Sequence, residues 1–243
     1  MEAVAAREAV LSRAETGSVG FEVITLAGDA LPRLIHRIEK IAGKLQDYAP
    51  DDFIKSNVEI VKQFHQMPEW VEVLRDNQEV VRETVGNPLC YQREPYMRIL
   101  RTGHPEDSVG IHRDTHYGAS MGEWVLWVPM TDGTDGAELR MIPGSHLEPE
   151  SAYPWVQEQG VERYSDQHWL GFMWAPKRMS KEVEDSCVPI PCRVGEAILF
   201  NTNAVHGIKV NKAPWTRWSF DIRVSPQSEV DKRSARKEMF AQI

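Results

Sequence analysis

The chain has 243 residues, enough for one substantial core, and its 42% apolar and 26% charged content is ordinary for a globular protein. A formal net charge of −8 argues against a nucleic-acid phosphate footprint, and no apolar run approaches the length of a membrane span, so neither partner is expected. The opening stretch, MEAVAAREAVLSRAE, alternates charge with small apolar residues and lacks the apolar run of a signal peptide, so a cytoplasmic location is expected.

Residues 21–25, FEVIT, read as a short strand. Leu31, Leu34, Ile35, Ile38, Ile41 and Leu45 then recur at helical spacing, with Asp29 as the N-cap and Pro32 in the first turn. A second helix is expected over 53–64. A third begins near Pro68, carries Trp70, Val71, Leu74, Val80 and Val81, and ends at Gly86-Asn87-Pro88. From about Glu94 the apolar period shortens to two. Strands are expected at 96–101, 109–112, 123–130, 138–142, 187–191, 197–200, 205–210 and 216–224, with 131–136 (TDGTDG) as a turn.

Helices first and strands second give an α+β arrangement, in which residues 1–90 are mainly helical support for a jelly-roll core over 94–225. With no repeat, low-complexity tract or linker in 1–243, a single domain is expected. Residues 147–186 break the strand rhythm and concentrate Tyr153, Trp155, Tyr164, Trp169, Phe172, Met173 and Trp174. Such a segment is either a lid over a site or an insertion packed on the barrel or on a partner subunit. Cys90, Cys187 and Cys192 match neither a redox nor a zinc spacing and read as reduced thiols.

The chemistry concentrates in two patches. Gly110-Ile111-His112-Arg113-Asp114-Thr115 supplies an imidazole and a carboxylate two residues apart, which strand alternation places on one face. Asn203-Ala204-Val205-His206-Gly207 supplies a second imidazole, expected to arrive across the barrel from another strand. Two imidazoles and one carboxylate, with open positions left around the metal, form the ligand set of non-haem Fe(II) oxygenases. His-Arg-Asp also occurs in kinase catalytic loops. Those need an Asn five positions after the Asp, where this chain has Ala119, and a Gly-rich phosphate loop that it lacks. His116 shares the alternation of His112 and Asp114 and competes as a ligand, but strand geometry sets it apart from the first. His36, His65, His104, His146 and His168 read as surface, turn or supporting histidines.

In Arg217-Trp218-Ser219-Phe220-Asp221-Ile222-Arg223-Val224 the apolar residues share one face and Arg217, Ser219, Asp221 and Arg223 the other. An arginine and a hydroxyl two residues apart can hold one carboxylate inside a barrel, and the guanidinium fork favours bidentate binding. An Arg–Asp221 ion pair on a solvated face is the plainer reading. Arg223 stands in reserve for Arg217, neutralised by Asp221.

These features resemble the Fe(II)/2-oxoglutarate-dependent dioxygenases, and most closely the phytanoyl-CoA dioxygenase-like branch. The likeness runs from about Tyr96 to Val224: His-x-Asp, the turn Met141-Ile142-Pro143-Gly144-Ser145-His146, the distal His206-Gly207, and Arg217 eleven positions on. It implies a double-stranded β-helix (jelly-roll, cupin-like) core, with His112, Asp114 and His206 binding Fe(II). It also implies that Arg217, with Ser219, holds the distal carboxylate of 2-oxoglutarate, that Trp127 lines the co-substrate pocket, and that O2 is the oxidant. Related halogenases replace the carboxylate by a small residue; Asp114 therefore favours hydroxylation or desaturation.

The expected function is hydroxylation of a small-molecule metabolite, in natural-product or specialised metabolism. A desaturase, epoxidase or epimerase could use the same site. A cupin-like metal-dependent isomerase or a non-catalytic metabolite-binding barrel is the other class, although cupins generally present His-x-His with a nearby Glu. A homodimer stays open as a partner state. The helical N-terminal region and the aromatic insert match no family pattern, so the branch name implies no fatty acyl-CoA substrate.

Overall fold

The computed structural model describes residues 19–243, so the reading of the first fifteen residues lies outside it. Its centre is a seven-stranded sheet of β1 (Phe21–Thr25), β2 (Leu89–Gln92), β3 (Tyr96–Leu100), β5 (Trp124–Pro129), β10 (Glu196–Asn201), β12 (Arg217–Pro226) and β13 (Phe240–Gln242). The order is β1-β10-β5-β12-β2-β13, with β3 also paired to β12. A four-stranded sheet, β4-β11-β6-β9, combines Gly110–His112, His206–Ile208, Leu139–Met141 and Val188–Ile190. All pairings are antiparallel. Leu139, Met141, Ile190 and Ile208 of the smaller sheet share a buried cluster with Val125, Trp127, Ile198 and Phe200 of the larger one. The two inner faces thus form the double-stranded β-helix expected from the sequence.

Helices α1 (Ala30–Ala42), α2 (Phe53–His65), α3 (Glu69–Asp76) and α4 (Gln78–Val85) cover the outer face of the larger sheet. Their apolar stripes, with Leu34, Ile38, Phe64, Leu74 and Val81, meet Trp218, Phe220, Ile222 and Val224 of β12 in the largest core cluster. Trp218 is wholly buried; its ring packs edge-on against Tyr48 at 4.8 Å and its Nε1 donates to the Leu45 carbonyl at 2.9 Å. Phe220 meets Phe64 at 5.6 Å.

Several boundaries differ from the sequence reading, each for a local reason. Gly43, at φ 77°, ends α1 early, so Leu45 sits in a separate 3-10 turn. Asp29 makes no capping bond; its carboxylate takes Arg33 Nε at 3.0 Å instead. The expected third helix is two, broken at Asn77, whose side chain donates to the Val73 carbonyl at 2.8 Å and accepts from Ala27 N–H at 2.8 Å. β2 and β13 were not expected. The insert over 147–186 is partly ordered as the ribbon β7 (Trp155–Gln157) and β8 (Lys177–Met179), with short helices α5 (Asp166–Trp169) and α6 (Lys181–Ser186). Beyond β12 lies α7 (Gln227–Asp231). No described helix is long and apolar enough to cross a membrane.

Because Trp218 fills the junction of helices and sheet, Trp218→Ala should lower the free energy of unfolding by about 3–5 kcal/mol, the usual cost of such a cavity. Urea denaturation measures this. A change within about 0.5 kcal/mol, the range typical of surface substitutions, would mean that the helices are not held through this ring.

Candidate metal centre

β4 and β11 are neighbours in one antiparallel ladder, with His206 opposite His112, Gly207 opposite Ile111 and Ile208 opposite Gly110. Residues directly opposite project to the same face, so the two imidazoles stand side by side, 4.6 Å between centroids. The expectation that His206 arrives across the barrel is thereby corrected: the histidines are cross-strand partners. Gly207 makes this possible. It sits at φ 153°, and a Cβ there would run into the Gly110 carbonyl oxygen and the Ile111 Cα.

Asp114 also reaches the site by a different route from the one expected. The strand stops at His112, and Asp114 opens a 3-10 turn, Asp114–Tyr117. Its N–H donates to the Thr202 carbonyl at 3.0 Å, tying the turn to the approach to His206. Asp114 Oδ1 lies 3.5 Å from His112 Nε2, and one ligand atom from each of His112, Asp114 and His206 falls within 4.8 Å of the others. His116, on the same turn, is not in this group. Its ring packs on Trp155 at 5.5 Å, and its Nε2 lies 3.4 Å from Glu150 Oε1.

The hydrogen bonds fix the imidazole tautomers. His112 Nδ1 lies 3.0 Å from the Gly110 carbonyl and His206 Nδ1 lies 2.9 Å from the Ala204 carbonyl. A carbonyl only accepts, so each Nδ1 carries a proton, and it is Nε2 whose lone pair is left for a metal in the neutral ring. Burial, reinforced by neighbouring His112, pushes His206 down to about 4, so it is neutral near pH 7. Burial would raise the Asp114 carboxyl, but Arg223 and the neighbouring histidines outweigh it and hold the group well below the usual carboxylate range. Two imidazoles, each with its Nδ1 engaged by a carbonyl, and one carboxylate converging from one side fit a divalent transition metal.

The triad opens into a cavity of about 510 Å³. The barrel contributes Tyr96, Arg98, Trp127, Asp221 and Arg223 to its walls, and the insert contributes Gln157, His168, Phe172, Trp174 and Lys177. The insert is pinned at its roots: Tyr117 Oη accepts from Lys177 N–H at 2.7 Å, and Arg113 donates to the Ser145 carbonyl at 2.7 Å. Trp169 faces elsewhere, meeting His65 at 5.9 Å and lining a second cavity of about 480 Å³. The two exposed tryptophans of the insert therefore serve different walls.

Arg217 and Ser219 lie together inside the barrel, both with 0% exposure. Arg217 Nη2 donates to Ser219 Oγ at 3.3 Å, while its Nε and Nη1 are buried without a partner among the described residues. Trp127, which lines the cavity, has its ring centroid 5.3 Å from the guanidinium carbon. Burial pushes Arg217 down to about 9. A buried guanidinium with two unused donors is suited to an anion. Arg223 is not neutralised by Asp221 as expected; its Nη2 lies 3.0 Å from Asp114 Oδ1. Sequence reasoning missed Arg98 and Tyr96, which line the cavity from β3. The available signal was a polar alternation, Tyr96 and Arg98 between buried Met97 and Ile99.

The chain belongs to the phytanoyl-CoA dioxygenase (PhyH) family, whose model matches residues 19–217. That family is a branch of the non-haem Fe(II)/2-oxoglutarate-dependent oxygenases. Among solved structures the chain is similar to EvdO2 from Micromonospora carbonacea var. aurantiaca, with a TM-score of 0.59, 13% identity, and coverage of 94% of this chain and 90% of that one. It is also similar to AviO1 from Streptomyces viridochromogenes Tue57, with a TM-score of 0.51, 18% identity, and coverage of 90% and 94%. The non-heme monooxygenase ThoJ gives a TM-score of 0.51 at 18% identity, over 89% and 77%. These likenesses show a shared fold. No curated protein sequence matches the chain.

His206 predicts a pH dependence for the metal-free protein. Its folded value of about 4 lies below the ordinary 6.5, so the unfolded chain binds the extra proton first. Stability is therefore full above pH 6.5 and is lost as pH falls towards 4, by about 3 kcal/mol from this residue. Urea midpoints of chelator-treated protein at pH 7.5, 6 and 5 should show the decline, and His206→Asn should make it shallower, the remainder coming from His116, which burial also pushes down to about 4. Equal slopes in both proteins would show that this imidazole titrates normally.

Proposed function

We propose that this chain is an Fe(II)- and 2-oxoglutarate-dependent oxygenase that hydroxylates a small metabolite in specialised metabolism. His112, Asp114 and His206 hold the iron, and Arg217 with Ser219 holds the distal carboxylate of 2-oxoglutarate beneath Trp127. One observation carries this reading. The inner face of one barrel bears both a buried three-ligand group and a buried guanidinium with two unused donors. EvdO2 has been solved in complex with 2-oxoglutarate, which supports the same assignment on this fold.

Bound at the triad, iron with 2-oxoglutarate and O2 supplies an oxidant for a C–H bond, with succinate and CO2 as co-products. The chain's own residues orient and enclose. The Gly110 and Ala204 carbonyls fix both imidazoles with Nε2 forward. Asp114 fills the third ligand position, which favours hydroxylation over halogenation. Arg217 sets the orientation of the co-substrate through charge-assisted hydrogen bonds in a site without water competition. Phe172 and Trp174 of the insert border the cavity where the substrate is taken, and 510 Å³ suits a small molecule. Cys90, Cys187 and Cys192 are buried thiols outside any disulfide, which supports a reducing compartment, the cytoplasm.

The experiment is succinate formation from 2-oxoglutarate with Fe(II) under air, together with binding measured separately for metal and co-substrate. Arg217→Met removes a desolvated partner of a carboxylate, which costs about 2–5 kcal/mol. The dissociation constant for 2-oxoglutarate should rise on the order of a hundredfold while Fe(II) binding changes little. His206→Ala should lose Fe(II) binding and turnover while remaining folded. If Arg223→Met produced the co-substrate defect and Arg217→Met did not, the anion anchor would be misassigned.

A further inference from the structure

β12 places two arginines on its inner face six residues apart, and they have opposite surroundings. Arg217 has unused donors and no carboxylate in ion-pair distance among the described residues. Arg223 is spent on the metal centre itself. Its Nη2 is 3.0 Å from Asp114 Oδ1, and that same oxygen faces His112 Nε2 at 3.5 Å. The side chain is 13% exposed and its guanidinium carbon is 6.0 Å from the Tyr96 ring centroid. Asp221, two residues earlier on the same face, also lines the cavity, yet no ion pair within 4.0 Å joins it to Arg223 among the described residues. Arg223 thus passes over the carboxylate nearest in sequence and takes the one that belongs to the ligand group.

The geometry points to Arg223 as a stand-in cation, a positioning residue that holds the metal-side oxygen of Asp114 and thereby limits how tightly a divalent ion binds. This rests on the reading of His112, Asp114 and His206 as a metal centre. The physical reasoning is competition for one oxygen. A buried carboxylate is costly unless a positive partner stays close, and Arg223 is that partner in the metal-free chain. A divalent ion sharing Oδ1 must accept a guanidinium as near neighbour, and like charges repel strongly where water is excluded. Arg223 therefore stabilises the metal-free form more than the metal-loaded form. It keeps Asp114 ionised and aimed into the cavity, and it keeps the metal exchangeable. A merely structural arginine would affect stability without this opposite effect on affinity, and an arginine that only oriented Asp114 for the metal would weaken binding when removed.

The test titrates Mn(II) into the chelator-treated full chain by calorimetry and follows thermal unfolding with and without saturating Mn(II). Arg223→Met should lower the Mn(II) dissociation constant at least tenfold, lower the Tm of the metal-free protein, and enlarge the Tm rise on adding Mn(II). Arg223→Lys keeps a positive charge on a shorter stem and guards against loss of folding; its dissociation constant should lie between those of the wild type and Arg223→Met. Unchanged or weaker Mn(II) binding in the variants that fold would overturn the proposal. Failure of the wild type to bind Mn(II), or binding that survives His206→Ala, would instead strike the metal-centre reading and take this inference with it.

Discussion

Between β4 and β11 the two backbones come so close at Gly207 that any Cβ would collide with the carbonyl of Gly110. That contact fixes the register of the ladder, and the register decides whether His112 and His206 face each other. A slip of one residue would turn one imidazole to the opposite face of the sheet and dissolve the ligand group. The same short strands leave the Gly110 and Ala204 carbonyls beside the two Nδ1 atoms, so the tautomers follow from backbone placement and need no further side chain. Asp114 is added by a turn whose amide is held by the Thr202 carbonyl, close in sequence to His206.

The second sheet is governed from its outer side. Trp218, Phe220, Ile222 and Val224 are clamped under α1 to α4, with Trp218 anchored by both its ring and its indole N–H. Strand alternation then leaves Arg217, Ser219, Asp221 and Arg223 no direction but inward. The helical layer therefore sets the orientation of the charged inner row by packing on the opposite face of the strand. Packing on one face and chemistry on the other are two readings of a single strand.

Much of this was legible in the sequence, because it depends on period and spacing. The two-residue alternation of β12, the period change near Glu94 and the order His112, Asp114, His206, Arg217 all follow from local pattern. What was not legible depends on which strands become neighbours. Adjacent placement of β4 and β11 is a pairing choice, and the alternation that puts Asp114 beside His112 on a strand reaches the correct grouping by the wrong backbone. The partner of Arg223 was misread for the same reason. Asp221 is nearer along the chain, whereas Asp114 is nearer in space. Asn77 escaped notice because its break in the helix comes from side-chain bonds to Val73 and Ala27 rather than from a Gly or Pro.

Arg217 carries a consequence beyond the reaction. It is a wholly buried guanidinium with two nitrogens, Nε and Nη1, that find no acceptor among the described residues, and such a charge weighs against the folded state. An anion that pairs with it adds binding free energy to the native form alone, so it acts as a folding ligand. If 2-oxoglutarate is that anion, as proposed, its supply would raise the chain's resistance to unfolding and proteolysis. On that proposal the co-substrate would hold the fold as well as feed the reaction, through one arginine, before any substrate has entered the cavity.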